Sequence, residues 1–171
     1  VEVPESWKDA KDEGLDFTHA SHGPEAVKKF VNTIQSAVNA QEGNNLPVYA
    51  FMDYMDGTTP NGTAAYEKRG IAVDVPVWNP DTCVQCTQCS YVCPHAAIRP
   101  VAMTEEEAKN APEGMKMTDL KMMPGYKFAI NVSVLDCTGC GSCANVCPGN
   151  VKNPTLVMQP LADNDDKQKF F

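Results

Sequence analysis

Eight cysteines fall in two copies of one spacing. Cys83, Cys86, Cys89 and Cys93 are followed by Pro94, and Cys137, Cys140, Cys143 and Cys147 by Pro148, so each run reads C-x2-C-x2-C-x3-C-P. Thiolates are strong metal ligands, and three of them at intervals of three residues converge from one side of a tight loop. The proline after the fourth removes an N–H donor and fixes φ, which turns the chain away from whatever the thiols hold. There is no ninth cysteine, so the thiols divide into two sets of four. Structural zinc also uses C-x2-C pairs but draws them from separate loops. An even count would suit disulfides, yet this spacing would close very small rings. Two 4Fe–4S clusters, and hence one-electron transfer, are the reading the spacing favours.

This is the run found in bacterial two-cluster ferredoxins, where the fourth cysteine of each motif ligates the cluster of the other. On that pattern cluster one takes Cys83, Cys86, Cys89 and Cys147, and cluster two takes Cys137, Cys140, Cys143 and Cys93. Gly139 and Gly141 let the second loop's backbone approach its cluster closely; the first loop has Gln85, Thr87 and Gln88 there. The glycines suggest more backbone N–H donors, and a higher potential, for the second cluster. Val84, Tyr91, Val92, Ile98, Leu135 and Val146 are the candidates for lining the clusters and excluding water.

The elements that must position these loops are partly legible. Ile71 to Trp78 reads as a strand entering the first loop. Tyr126 to Leu135, with Phe128, Ile130, Val132 and Val134 alternating, reads as a strand entering the second. Thr155 to Met158 reads as a final strand on the core. Behind Cys93-Pro94, His95 to Ile98 is an apolar turn. Forty-three residues separate Cys93 from Cys137, and within them Thr104 and Glu107 form a capping-box pattern for a helix from Glu105 to about Asn110. Ahead of the motifs, residues 1–22 read as a loop with a short helix. Gly23-Pro24 opens a helix of about five turns with Val27, Phe30, Val31, Ile34 and Val38 on one face. Gly43 stops it, Leu46 to Met52 reads as a strand, and Asp56-Gly57 and Asn61-Gly62 are turns. The fold class expected is α+β: a ferredoxin-like domain over 71–160 with an insert at 101–125, preceded by a mixed α/β connecting segment over 1–70 and followed by a solvated tail over 161–171.

A net charge of −8 argues against nucleic acid and anionic membrane as partners, and no apolar run approaches the ~20 residues of a membrane span. Thiols reserved for clusters imply a reducing, low-oxygen cytoplasm. The chain begins Val1-Glu2-Val3 without an initiator methionine, which reads as a piece of a longer polypeptide. His19, His22 and His95 read as solvent-facing, Arg99 as one half of a surface ion pair, and Met115, Met117, Met122 and Met123 as gap-fillers. No nucleophile–base pair, Walker loop or dinucleotide fingerprint is present, so no catalytic residue is assigned.

The stretch from Asp56 through Tyr66-Glu-Lys-Arg69 to Ala72, then Val75-Pro76 and Trp78, Cys93-Pro-His-Ala-Ala-Ile-Arg-Pro100 and Leu135-Asp-Cys-Thr-Gly-Cys-Gly-Ser-Cys143, closely resembles pyruvate:ferredoxin oxidoreductase over most of the chain. The resemblance implies a fold of two-cluster ferredoxin type plus its connecting region. It also implies a larger enzyme that decarboxylates pyruvate on thiamine diphosphate with Mg, passes the acetyl group to coenzyme A, and sends electrons through three clusters to ferredoxin or flavodoxin. The thiamine-binding domains and the third cluster would lie outside this segment. Its partners would be the remaining domains of the same oxidoreductase and the acceptor. An oxidoreductase for another 2-oxoacid, a free-standing two-cluster carrier and a structural zinc module are the alternatives.

Overall fold

The computed structural model describes residues 19–151 and 153–171. The chain divides into two units, Val1–Lys68 and Arg69–Phe171, and residues 1–18 of the expected leading loop lie outside the described part.

In the first unit, α1 (Glu25–Phe30) runs through a wider π turn at Val31–Gln35 into α2 (Ser36–Asn39). The helix is therefore shorter than the five turns expected. Val27, Val31 and Ile34 are buried as the spacing requires, but Val38 is 51% exposed. The π turn inserts an extra residue per turn, which rotates the apolar stripe away before Val38. The left-handed residue beyond the helix is Gln41 (φ 62°), not Gly43. Asn32 braces the segment ahead of the helix, accepting from the Ala20 amide at 2.8 Å and donating to the Ala20 carbonyl at 3.1 Å. Tyr66 donates to the His22 carbonyl at 2.7 Å. His19 and His22 are exposed.

The expected strand at Leu46 to Met52 is a 3-10 helix instead, Val48–Tyr54. Its apolar residues have no partner strand among the described residues, and Val48 and Tyr49 stand 89% and 72% exposed. A lone strand leaves its backbone groups unpaired, so the local helical turn satisfies more of them. Among the described residues this unit contains no strand, so the described part of the expected mixed α/β connecting segment is helical.

The second unit opens with β1 (Asp74–Trp78), followed by the first cysteine loop and α3 (Gln88–Tyr91). Next come β2 (Ile98–Thr104), α4 (Glu105–Lys109), β3 (Thr118–Asp119) and β4 (Tyr126–Val132). The second cysteine loop leads into α5 (Ser142–Asn145), and β5 (Leu156–Pro160) follows. The capping box on α4 is present in full: Thr104 Oγ1 accepts from the Glu107 amide, and the Glu107 carboxylate accepts from the Thr104 amide. The sequence reading missed β2, because Pro100 sits in it. Proline is tolerated on an edge strand, and β2 is the edge of a three-stranded sheet ordered β2-β4-β3.

Strand pairing decides the architecture. β1, ahead of the first motif, pairs antiparallel with β5, behind the second, with Trp78 opposite Leu156. β4, ahead of the second motif, pairs antiparallel with β2, behind the first, with Ile98 opposite Val132. Each half of the repeat thus completes its sheet with a strand from the other half. The core between them holds Val75, Ile98, Phe128, Ala129, Ile130, Val134 and Leu156, and full burial of one such aliphatic or aromatic side chain is worth about 1.5–3 kcal/mol.

In the stretch expected to be a solvated tail, Asp163, Asp165 and Asp166 are exposed, but two amide side chains tie it to this core. Asn164 is 2% exposed and donates to the Pro160 carbonyl. Gln168 Oε1 accepts from the Leu135 amide at 3.0 Å. These contacts tie the stretch down because amide side chains can satisfy backbone groups that the strand ends leave open.

Candidate iron–sulfur site

The two cysteine loops share one backbone path. Gln85 and Thr87 have φ of 62° and 58°, and Gly139 and Gly141 have 71° and 72° at the matching places. The chain after the first cysteine curls so that an amide faces that cysteine's sulfur. The Gln85 N–H lies 3.3 Å from Cys83 Sγ, and the Gly139 N–H 3.4 Å from Cys137 Sγ. The glycines therefore give the second loop no extra donor at this point, contrary to the expectation from sequence. A difference arises elsewhere: the Ala97 N–H reaches Cys93 Sγ at 3.3 Å, and Cys140 Sγ and Ser142 Oγ are 3.5 Å apart.

A non-glycine residue in the left-handed region carries a cost of about 1–2 kcal/mol, and Gln85 has compensating bonds. Its Nε2 donates to the Asp119 carbonyl at 2.7 Å, and its Oε1 accepts from the Lys121 amide at 2.9 Å. Lys121 Nζ donates to the Cys83 carbonyl at 2.9 Å. The segment between the motifs is thereby clamped to the first loop.

Two cavities take up the eight thiols. One is lined by Cys83, Cys86, Cys89 and Cys147, together with Trp78, Ile130, Thr155 and Leu156. The other is lined by Cys137, Cys140, Cys143 and Cys93, together with Pro76, Val132, Ser142 and Met158. The fourth thiol in each comes from the opposite motif, as the exchanged strands require. The space between atoms is about 340 Å³ in the first and about 380 Å³ in the second, part of it open to solvent. Among the described residues, no three His, Cys, Asp or Glu side chains converge to hold a single metal ion.

Burial sets the thiol chemistry. Desolvation pushes Cys89 and Cys143 up to about 11, with the neighbouring thiols adding to the effect. Cys137 is also raised, chiefly by burial. Cys140 lies at the surface and is lowered by its hydrogen bonds to Ser142. Buried thiols that resist ionisation in water become thiolates when a cation displaces the proton, so ligation releases protons. One further group suits the first cavity. The Trp78 indole N–H is buried and has no hydrogen-bond partner among the described residues. Cys83, Cys86, Cys89 and Cys147 on one cavity, and Cys137, Cys140, Cys143 and Cys93 on the other, each offer the four thiols that a 4Fe–4S cluster takes.

Of the residues expected to line the clusters, Val84 borders the first cavity and Ile98 the second. Tyr91, Val92, Leu135 and Val146 border neither, and Tyr91 at the end of α3 is 93% exposed. Trp78, Ile130, Leu156 and Val132 were missed as lining residues, although their place at the ends of strands entering or leaving the loops was a usable signal. His95 is exposed and borders the second cavity. Arg99, expected in an ion pair, donates to the Ala96 carbonyl and lies 4.9 Å over the Phe171 ring. Met115 and Met117 pack against the core, whereas Met122 is 88% exposed.

Residues 82–150 match a 4Fe-4S double cluster binding domain, and residues 16–72 match a domain of unknown function. The class is thus that of two-cluster iron–sulfur proteins. The chain is 46% identical over 171 residues to the pyruvate-flavodoxin oxidoreductase of Enterobacter agglomerans, covering 100% of this chain and 14% of that protein. It is 48% identical over 165 residues to the pyruvate:ferredoxin oxidoreductase of Moorella thermoacetica, covering 95% of this chain and 13% of the relative. Over 125 residues it is 49% identical to the pyruvate dehydrogenase [NADP(+)] of Cryptosporidium parvum, covering 71% of this chain and 6% of the relative. The chain belongs to the pyruvate:ferredoxin (flavodoxin) oxidoreductase family and spans about one seventh of the length of these first two relatives.

Proposed function

We propose that the chain is the electron-relay segment of a pyruvate:ferredoxin (flavodoxin) oxidoreductase. The observation that carries this reading is the sorting of the eight thiols into two cavities, each taking three cysteines from one motif and the fourth from the other. On this reading cluster one is held by Cys83, Cys86, Cys89 and Cys147, and cluster two by Cys137, Cys140, Cys143 and Cys93. Each cluster, when bound, takes up and releases one electron at a time. The chain's own residues do the rest. Val75, Ile98, Ile130 and Leu156 keep water from the inner faces. The Gln85, Gly139 and Ala97 amides aim at the ligating sulfurs, and donors of that kind favour the more negative, reduced state. Cys86 and Cys140 lie exposed, at the faces where a redox partner would approach.

The full enzyme would couple the oxidative decarboxylation of pyruvate, carried out on thiamine diphosphate and Mg in other domains, to acetyl-CoA formation and to reduction of ferredoxin or flavodoxin. The names of the relatives support this reaction, and nothing in this segment selects pyruvate over another 2-oxoacid. In the proposed domain layout a connecting segment precedes the ferredoxin-like domain, with the insert at 101–125 clamped onto the first loop. A cytoplasmic setting follows from ligands that must stay reduced; among the described residues no helix is long and apolar enough to cross a membrane.

Anaerobic metal analysis with EPR of the dithionite-reduced chain tests the proposal. About eight irons and eight sulfides per chain, with a spectrum of two magnetically interacting clusters, is the expected result. Zinc in their place, or a single isolated cluster, would overturn it.

A further inference from the structure

Trp78 ends β1 five residues before Cys83. Its side chain is 6% exposed, and its ring meets Phe128 edge-on at 6.1 Å. The indole Nε1–H is one of two buried side-chain polar atoms without a partner among the described residues. A buried donor left unsatisfied costs about 1–3 kcal/mol, and such atoms in folded proteins call for a specific acceptor. An indole has only a donor to offer, so the acceptor must come from the surroundings.

Trp78 borders two cavities, and their chemistry differs. One is flanked by the Lys116 and Lys167 side chains, and an ammonium accepts no hydrogen bond. Asn131 also lines that space, yet the indole makes no bond to it. The other cavity is lined by Cys83, Cys86, Cys89 and Cys147, the four residues that would hold cluster one. We propose that the Trp78 indole N–H donates a hydrogen bond to a sulfur of the cluster held by Cys83, Cys86, Cys89 and Cys147, and thereby raises that cluster's potential. The second cavity is lined by Pro76 of β1 and by no tryptophan, so the bond is private to cluster one. It adds to the Gln85 amide and places a side-chain donor where the second loop uses the Ala97 amide and Ser142. Trp78 is therefore a positioning and tuning residue, distinct from the ligands.

The inference rests on the two-cluster reading above, so the experiment first confirms about eight irons per chain in each sample. The cluster-loaded chain is labelled with 15N at its indoles, with Trp7→Phe removing the other tryptophan. After partial reduction, pulsed EPR is expected to show an indole 15N coupled to one reduced cluster. In the Trp78→Phe variant that coupling disappears. A redox titration of that variant then shows one cluster harder to reduce and the other unmoved. The shift expected is up to about tenfold in the ratio of reduced to oxidised cluster, or 59 mV for one electron. A fully loaded, unsubstituted Trp78 protein without indole coupling would overturn the proposal, whatever the fate of the phenylalanine variant. So would a loaded Trp78→Phe chain with both potentials unchanged. A chain that fails to load two clusters overturns the functional reading itself, and is told apart by its iron content.

Discussion

Alanine at Gly139 is expected to strip the second cluster and lower stability by about 3 kcal/mol. Two costs combine there. The backbone is left-handed, at φ +71°, which penalises any Cβ by about 1–2 kcal/mol. An added Cβ would also stand 2.9 Å from the Asp74 carbonyl oxygen and 3.4 Å from the Ala72 Cβ. Asp74 opens β1 and is held opposite Pro160, so its carbonyl cannot retreat without disturbing the sheet; forced displacements of this kind cost about 1–3 kcal/mol. Gly141 supplies the control. It has nearly the same φ, +72°, but nothing lies within 4 Å of an added Cβ, and Gly141→Ala should lose only about 1 kcal/mol and keep both clusters. Loss of the cluster's visible absorbance with denaturant, alongside iron content, measures both variants. Equal behaviour of the two would show that the β1 backbone does not confine the second loop.

Asn150→Ala should be comparably severe, at about 3 kcal/mol, and should strike the other cluster. Three residues beyond Cys147, the Asn150 side chain donates to the carbonyls of Ala144 and Leu156 at 3.0 and 2.8 Å. Its Oδ1 accepts from the amides of Thr155 and Leu156 at 2.6 and 2.9 Å. One amide thus joins the end of α5 to the start of β5, and the turn it fixes carries the fourth thiol of cluster one. Each bond is worth about 0.5–1.5 kcal/mol net. Truncation removes four and leaves backbone groups unsatisfied. The expected readout is earlier unfolding and preferential loss of the cluster that includes Cys147. Unchanged stability would mean that water replaces the amide at no cost.

The cysteines that line the two cavities were legible in the sequence because of their type and spacing. The helix at Glu105 was legible too, since Thr104 and Glu107 act over three residues. What depended on distant partners was not. Leu46 to Met52 is a short apolar run of the kind a strand has, with no strand to pair with among the described residues. β2 has Pro100, which argues against a strand until its edge position is known. Val38 left the apolar face through a π turn that no residue type announces. Gln85 occupies a backbone conformation that its sequence suggests only for glycine, held there by Asp119 and Lys121 from the far end of the insert. The lining role of Trp78 needed the pairing of β1 with β5, a contact between residues on either side of both motifs.

The central claim is that the fourth cysteine of each motif serves the other motif's cluster. Removing Cys93 tests it most directly, with Cys86→Ala and Cys140→Ala as references for loss of cluster one and cluster two. The exchanged strands predict that the EPR spectrum and potential remaining in Cys93→Ala match those of Cys140→Ala. If Cys93→Ala instead matches Cys86→Ala, each motif holds its own cluster and the crossed arrangement is wrong.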